Sequence, residues 1–177
     1  MRIHIRDFKK IIGNKKITFV DVLFVITVIG ILAVTFHPGY HSWVNKTAFH
    51  SAVTNLQSDL EMAKHRAIQE NVGVTVVFAP DAYDIFLDNG AGGGIAKNWI
   101  RDGKEIQLKK RKIPSAVNMN NDFPVTAPGS STKCLRFDGY GRPSRGGTVR
   151  LTGLNNIERE LTVHPAGRIK MEHKKTG

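Results

Sequence analysis

The sequence contains little cysteine and little negative charge. Cys134 is the only cysteine in 177 residues, so no intramolecular disulfide can form and the fold must be held by packing. Nothing in the sequence indicates a zinc site or a redox motif. Lys and Arg number 26 against 15 Asp and Glu, which gives a net charge of +11. The sequence therefore describes a basic protein whose stability depends on its core.

Recognisable catalytic and nucleotide-binding patterns are also missing. The glycine-rich stretch 90–94 has no Gly-Lys-Ser/Thr ending and no helical pattern after it, so it predicts a flexible loop. His37 and His41 have a spacing that can share a metal, but no third ligand is evident and Pro38 lies between them. We interpret the two histidines as membrane-interface residues. No catalytic triad, acid pair or nucleophile elbow is visible, so we predict a non-enzyme without metal or cofactor.

Positive charge is concentrated in three segments. Residues 1–16, 97–112 and 140–177 each carry a net charge of +5, and the rest of the chain sums to −4. The first segment directly precedes an apolar run, so the positive-inside rule predicts a cytoplasmic N-terminus and an exported C-terminus. The other two segments lie in the exported part and require a separate explanation.

The apolar run covers residues 17–36 and contains one charge, that of Asp21. A helix of this length measures about 30 Å, which is close to the thickness of the hydrocarbon core of a bilayer. A cleaved signal peptide is disfavoured, because its apolar region would be about 7–15 residues long and followed by small residues. A plain membrane anchor and a prepilin both remain open. We predict a single pass through the inner membrane, with a periplasmic C-terminal domain.

Details of the run resemble the type IV prepilin segment. Thr18-Phe19-Val20-Asp21 is similar to the motif Thr-Leu-(Ile/Val)-Glu, residues 28–33 are similar to Ile-Ile-Gly-Ile-Leu-Ala, and Pro38 is the twenty-second residue counted from Ile17. The resemblance implies cleavage by prepilin peptidase between Lys16 and Ile17, a helix kink at Pro38, and packing of the helix in a filament core. Lys16 stands where the family has glycine, so an uncleaved anchor is the alternative.

Asp21 is the residue of the run with the clearest functional implication. A carboxylate in the hydrocarbon layer costs about 2.5–3.5 kcal/mol, so it needs a partner. The resemblance implies that this partner is the free N-terminal amine of a neighbouring subunit, which would set the register of the filament. Alternatively, Asp21 reaches the lipid headgroups or pairs with Lys15 or Lys16.

An amphipathic helix continues the apolar run. Apolar residues recur at spacings of three and four, which places them on one face of a helix. They are Phe49, Val53, Leu56, Leu60, Ala63 and Ala67. Asn71 and Gly73 provide a stop signal, so we predict one long helix over residues 17–70.

Short β-rich segments follow the helix. The predicted strands cover residues 74–78, 83–87, 98–101, 105–108, 135–137, 148–152, 160–164 and 168–172. The first two and the next two are predicted hairpins, the second around Asp102-Gly103, and residues 114–133 are a predicted variable loop. The fold class is α+β: a long N-terminal transmembrane helix, pilin-like, packed on an antiparallel β-sheet.

The predicted organisation has four parts. They are a basic cytoplasmic leader 1–16, a transmembrane and filament-core helix 17–38, its amphipathic continuation 39–71 and an extracytoplasmic β-rich domain 72–177.

The order of these parts resembles the GspH/FimT family, which comprises the H-type minor pseudopilins of type II secretion and FimT-like pilins. The segments that carry the resemblance are 52–68 leading into 74–78, and the C-terminal segments 135–142, 159–163 and 167–169. The resemblance implies a minor pseudopilin of a type II secretion system, which assembles with other pseudopilins through its N-terminal helix.

The basic C-terminal segment favours an alternative function. Some FimT-like pilins that serve DNA uptake carry a Gly-Arg-x-Arg motif, which Gly167-Arg168-Ile169-Lys170 resembles. In a strand, Arg168 and Lys170 would point to the same side and, with Arg142 and Arg145, form a face attractive to phosphate. The alternative is thus a FimT-like minor pilin that binds DNA. A solvated basic surface or a contact with acidic subunits is the competing interpretation.

Overall fold

A computed structural model describes residues 18–129 and 131–174. The predicted leader 1–16 and the predicted cleavage site at Lys16 and Ile17 lie outside the described residues. The side chains of residues 34–41, 155, 173 and 174 are likewise outside the description, and that of Pro38, the predicted kink, is among them. The helix backbone is described throughout this stretch.

One long helix and nine strands make up the described chain. Helix α1 covers Phe19–Glu70. The strands are β1 Gly73–Ala79, β2 Ala82–Asp88, β3 Gln107–Lys112, β4 Asn118–Asn121, β5 Val125–Thr126, β6 Lys133–Phe137, β7 Gly147–Thr152, β8 Glu158–Val163 and β9 Ile169–Lys174. Short 3-10 turns occur at Ala91–Gly93 and Leu154–Asn156.

The chain divides into two compact units between Ser42 and Trp43. The first unit contains Thr18 and the N-terminal part of α1, and the described side chains from Thr18 to Ala33 are all exposed. Within the described part of the chain, no helix offers a stretch both long and apolar enough to cross a membrane.

The second unit combines the C-terminal part of α1 with two antiparallel sheets. The first sheet has the strand order β3-β2-β1-β6-β5, and the second has the order β4-β7-β8-β9. β1 is central in the first sheet, where Val76 lies opposite Ile85 of β2 on one side and Leu135 of β6 on the other. The prediction of an α+β fold is confirmed for this unit, with two sheets in place of one.

The predicted apolar stripe of α1 is confirmed. All six of its residues are at most 3% exposed. They share one core with apolar side chains of both sheets, including Val74, Val76, Ile85, Leu135, Phe137, Val149, Leu151, Leu161 and Val163. Fully burying a large aliphatic side chain stabilises a fold by about 1.5–3 kcal/mol, so this shared core holds the unit together without a disulfide.

The predicted end of α1 is confirmed as well. Asn71 adopts a left-handed conformation with φ of 52°. The N–H of Val72 donates to the carbonyl of Ala67 at 3.2 Å, and the N–H of Asn71 donates to the carbonyl of Ile68 at 3.3 Å. This pair of bonds is a Schellman motif, which satisfies the last carbonyls and turns the chain into β1.

The predicted hairpin around Asp102-Gly103 is wrong. Residues 98–101 form no strand, and β3 begins later than predicted. The Asp102 carboxylate instead accepts hydrogen bonds from the backbone N–H of Ile95 at 3.1 Å and from the side chain of Asn98 at 2.6 Å. These bonds close a loop within the segment, and β3 pairs directly with β2.

The predicted loop 114–133 contains two short strands, so that prediction is partly wrong. β4 pairs with β7 and β5 pairs with β6, one in each sheet. Between them Phe123 is buried and stacks on Phe78 with ring centroids 5.2 Å apart. The sequence of β4, Asn-Met-Asn-Asn, has no strand pattern because its pairing depends on backbone groups and on the neighbouring strand.

Candidate functional site

The described N-terminal part of α1 presents apolar side chains in every direction. Eleven large apolar side chains between Phe19 and Leu32 are 38–79% exposed. A helix that is apolar on all sides is stable where other molecules cover it, as in a membrane or in the core of an assembly. This segment is therefore the first candidate for a functional surface.

Asp21 caps the N-terminus of α1. Its Oδ2 accepts hydrogen bonds from the backbone N–H of Thr18 at 2.9 Å and from the Thr18 hydroxyl at 2.7 Å. The N–H of Asp21 lies 3.4 Å from Thr18 Oγ1, which completes a reciprocal capping arrangement. The sequence analysis missed this role, although a threonine three residues before an acidic residue is a signal for it. Asp21 Oδ1 forms no hydrogen bond with a described residue and remains accessible to a cation.

Two residues interrupt the apolar surface without exposing an unsatisfied group. Thr27 donates its hydroxyl to the carbonyl of Leu23 at 2.8 Å. A Cβ added to Gly30 would meet nothing within 4 Å. The isolated chain therefore has room for a side chain at Gly30. Small residues on apolar helices are typical of close packing between helices.

A buried acid joins the second part of α1 to the first sheet. Asp59 is 6% exposed. Its Oδ2 accepts hydrogen bonds from the Tyr83 hydroxyl at 2.7 Å and from Arg111 Nε at 2.9 Å, and Lys109 Nζ lies 4.0 Å from its Oδ1. Burial raises the pKa of Tyr83, and the adjacent Asp59 carboxylate raises it further. This network fixes β2 and β3 on the helix.

Asp138 organises the turn at residues 138–142, which belongs to the C-terminal segment 135–142. Its Oδ1 accepts hydrogen bonds from the N–H groups of Tyr140 at 2.9 Å and Arg142 at 2.8 Å, and its Oδ2 accepts one from Arg142 Nε at 3.2 Å. Burial alone would raise the pKa of Asp138, but these hydrogen bonds outweigh it and hold the pKa below its usual range. The carboxylate is therefore charged when the turn is formed.

Glycines allow the same turn to pack on the end of α1. A Cβ on Gly139 would collide with Asn71 Oδ1, and one on Gly141 would come within 2.7 Å of Ile68 Cδ1. Gly141 also has a φ of +73°, which side chains disfavour. Gly139 and Gly141 thus allow close packing of the turn against the end of α1.

Two of the four predicted DNA-binding residues line adjoining grooves beside this turn. Arg142 lines a groove of about 380 Å³, and Arg145 lines one of about 650 Å³. The grooves share Pro143, Ser144 and Pro165 as walls. The structure therefore brings Arg142 and Arg145 to one part of the surface.

Arg168 and Lys170 lie beside the larger groove. The carbonyl of Arg168 accepts a hydrogen bond from the N–H of His164 at 2.8 Å, and His164 lines the groove. Lys170 is opposite Thr162, another lining residue, in the pairing of β8 with β9. Arg168 itself precedes β9, which begins at Ile169.

Acidic neighbours divide these four cations into two pairs. Lys170 forms an ion pair with Glu172 at 2.7 Å, and Arg142 forms one with Asp138 at 3.2 Å. Arg145 and Arg168 are exposed and form no ion pair with a described residue. Of the four, Arg145 and Arg168 can therefore receive an anion without first losing an acidic partner among the described residues.

Cys134 is a buried free cysteine. Burial raises the pKa of the Cys134 thiol to about 11, so the thiol is protonated at neutral pH. Among the side chains that the structure describes, no three His, Cys, Asp or Glu groups are arranged to hold a metal ion.

The sequence and the fold both match pilin-like proteins. Residues 52–167 match the model of the family described as type II transport protein GspH. The type IV minor pilin FimU of Pseudomonas aeruginosa is 18% identical and superposes with a TM-score of 0.53, over 73% of this chain and 92% of that chain. The minor pseudopilin EpsH of the type II secretion system of Vibrio cholerae is 11% identical, with a TM-score of 0.53 over 76% of this chain and 99% of that chain.

E. coli GspH has the same fold. It is 12% identical and superposes with a TM-score of 0.51, over 72% of this chain and 89% of that chain. No curated protein sequence matches the chain.

Proposed function

The chain belongs to the GspH/FimT family of minor pseudopilins and pilins, and we propose that it is a minor pseudopilin of a type II secretion system. Proteins of this family are structural subunits that assemble into filaments with other subunits. The matching family model is that of a type II transport protein, which supports a role in secretion.

The observation that carries the proposal is the apolar surface between Phe19 and Leu32, exposed on all sides of α1. In the proposed function, the inner membrane covers this surface before assembly and the helices of neighbouring subunits cover it afterwards. The chain would cross the membrane once, with residues 1–16 in the cytoplasm and residues 72–177 in the periplasm. Prepilin peptidase would cut between Lys16 and Ile17, and Pro38 would kink the helix near the membrane surface.

Asp21 would then set the register of subunits. The helix cap uses only Oδ2, so Oδ1 can accept a hydrogen bond from the N-terminal amine of a neighbouring subunit. An ion pair formed in an apolar filament core neutralises two charges that would otherwise be poorly solvated. The same carboxylate would in this way order its own helix and select the position of the next one.

DNA binding by a FimT-like pilin is the second candidate. One observation favours it: Arg145 and Arg168 lack an acidic partner among the described residues and lie at or beside the same groove. Arg142 and Lys170 are weaker candidates, because binding phosphate would cost them their ion pairs with Asp138 and Glu172. Such binding would weaken steeply with salt.

A gene deletion in the source organism separates the two candidates. The proposal predicts that deletion reduces type II-dependent secretion while DNA uptake continues, and that the full chain restores secretion. A chain carrying Arg145→Ala and Arg168→Ala should restore secretion equally well. Normal secretion together with lost DNA uptake, restored by the natural chain but not by the double variant, would establish the FimT-like function instead.

A further inference from the structure

The basic segment 97–112 forms a surface that filament assembly through α1 does not use. It comprises the end of the loop between β2 and β3 and the whole of β3. Seven basic and two acidic residues lie in this segment. We call this segment, together with the preceding residues 95 and 96, the basic edge. The name reflects the position of β3, which is the outermost strand of the first sheet.

The two acids of the basic edge are turned to the interior of the loop. Glu105 is 7% exposed and accepts hydrogen bonds from the N–H groups of Gly90 at 2.8 Å and Asp102 at 3.2 Å. Asp102 is bound to Ile95 and Asn98. Both carboxylates therefore hold the backbone in place, and the positive charge on the outer side of the segment is left largely uncompensated.

Asp88, the last residue of β2, fixes the shape of the loop. Asp88 is 1% exposed and accepts hydrogen bonds from the N–H groups of Lys97, Asn98 and Trp99. The Trp99 ring lies 4.3 Å from the guanidinium of Arg136, whose Nη1 is 3.7 Å from Asp88. These contacts organise residues 97–99 in advance, which lowers the entropy that a partner must overcome on binding.

This organised loop exposes three isoleucines. Ile95, Ile100 and Ile106 are 68%, 43% and 57% exposed. The exposed cations Lys97, Arg101 and Lys104 lie between them along the chain. Lysines on an edge strand can discourage unwanted pairing, but that role gives no reason for exposed isoleucines beside it.

The outer row of backbone groups on β3 has no strand partner among the described residues. β3 pairs on one side with β2, and no described strand lies on its other side. Lys109 and Arg111 lie on the side of Asp59, so the strand alternation places Lys110 and Lys112 on the opposite side. A strand added here would find cations on both sides.

We propose that the basic edge docks an extended acidic segment of another protein, which adds as a strand beside β3. Backbone hydrogen bonds to β3 would supply affinity, and carboxylates and apolar side chains of the partner would meet the cations and the isoleucines. A second copy of this chain is disfavoured, because each copy carries a net charge of +11.

The side chains of the basic edge favour a protein over nucleic acid. Single-stranded nucleic acid binds on exposed aromatic rings, whereas the exposed apolar side chains here are aliphatic. The ring of Trp99, the aromatic residue of the loop, is covered by the guanidinium of Arg136, which leaves that face unable to stack on a base.

The proposal does not depend on which filament the chain enters, so its failure would leave the proposed function intact.

The test uses the full chain in non-ionic detergent micelles and a fluorescent peptide of about ten residues with alternating Glu and Val. A peptide of equal charge with proline at every second Val position is the control for strand pairing, since proline cannot donate to a ladder. Lys110→Glu with Lys112→Glu alters the basic edge, and Arg145→Glu with Arg168→Glu gives the same change in net charge elsewhere. Fluorescence anisotropy measures binding, and hydrogen exchange measures protection of the β3 amides.

We expect the Glu–Val peptide to bind and to slow exchange of the β3 amides, and the proline peptide to bind at least about tenfold more weakly. The Lys110 and Lys112 variant should lose about tenfold or more in affinity, and the Arg145 and Arg168 variant less than about threefold. Absence of binding, equal loss in both variants, or equal binding of the proline peptide would each overturn the proposal. Tighter binding of duplex DNA at the same residues would overturn it in favour of nucleic acid.

Discussion

Tyr83 donates a hydrogen bond to the buried carboxylate of Asp59 across 2.7 Å, which ties β2 to the core-facing side of α1. The two residues are 24 positions apart in sequence. Arg111 of β3 donates a second hydrogen bond to the same carboxylate oxygen, Asp59 Oδ2, at 2.9 Å. Asp59 thus joins the helix to the edge of the first sheet by polar contacts beside the apolar core.

Removing the Tyr83 hydroxyl should weaken this joint. In Tyr83→Phe, Asp59 keeps Arg111 but loses its buried donor, so the free energy of unfolding should fall by about 1–2 kcal/mol. Urea denaturation of the full chain in detergent measures the change. Tyr140→Phe is the control, because Tyr140 is 80% exposed and should change stability by less than about 0.5 kcal/mol. Equal stability of Tyr83→Phe and the natural chain would contradict the role given to the hydroxyl.

Gly141 and Gly129 have nearly the same backbone conformation, so comparing them separates the cost of a steric clash from the cost of backbone strain. Gly141 has φ of +73° and would meet Ile68 if it carried a Cβ, whereas Gly129 has φ of +72° and open space around it. Gly141→Ala should therefore destabilise the chain by about 1–3 kcal/mol more than Gly129→Ala does. Thermal or urea denaturation of the two variants gives the comparison. Equal losses would mean that the turn does not pack against the end of α1 as described.

The charge of Asp138 should give the fold a pH dependence. Its pKa is lowered in the folded chain, so it contributes stability above its ordinary value of 3.8, and that stability is lost as the pH falls through the folded pKa. Asp138→Asn should therefore be less stable than the natural chain at pH 7, with the difference shrinking as the pH falls toward 3. Urea midpoints across this range measure it. A difference independent of pH would show that the carboxylate charge is not what stabilises the turn.

Local periodicity explains which parts of the fold could be predicted. The stripe from Phe49 to Ala67 repeats every three or four residues, and each of its members is buried as expected. Alternation and turn residues likewise located β1, β2, β6, β7, β8 and β9 to within about two residues. These signals succeed because the same few neighbours in sequence decide both the pattern and the element.

Interactions between distant residues explain what could not be predicted. Asp59 is read as an ordinary polar residue of a helix until Tyr83 and Arg111 are placed beside it in space. Asp102-Gly103 carries a strong turn signal, but the expected hairpin does not form. The Asp102 carboxylate instead accepts hydrogen bonds from the Ile95 N–H and the Asn98 side chain. Segment 97–112 was recognised as basic, yet its place on a sheet edge followed only from the topology.

The observed helix cap and the proposed assembly contact of Asp21 call for a substitution that keeps one and removes the other. Asparagine retains an oxygen that can cap α1 through Thr18 but has no charge to offer a neighbouring amine. Alanine removes both functions, and glutamate keeps the charge. Comparison of the three variants therefore distinguishes a helix cap from an assembly contact.

The most direct measurement is the fraction of Asp21→Asn, Asp21→Ala and Asp21→Glu protein recovered in filaments sheared from cells, relative to the amount in the membrane. If an ion pair across subunits sets the register, Asp21→Asn should be excluded from filaments as completely as Asp21→Ala, while Asp21→Glu is incorporated. Incorporation of Asp21→Asn at the level of the natural chain would contradict the account.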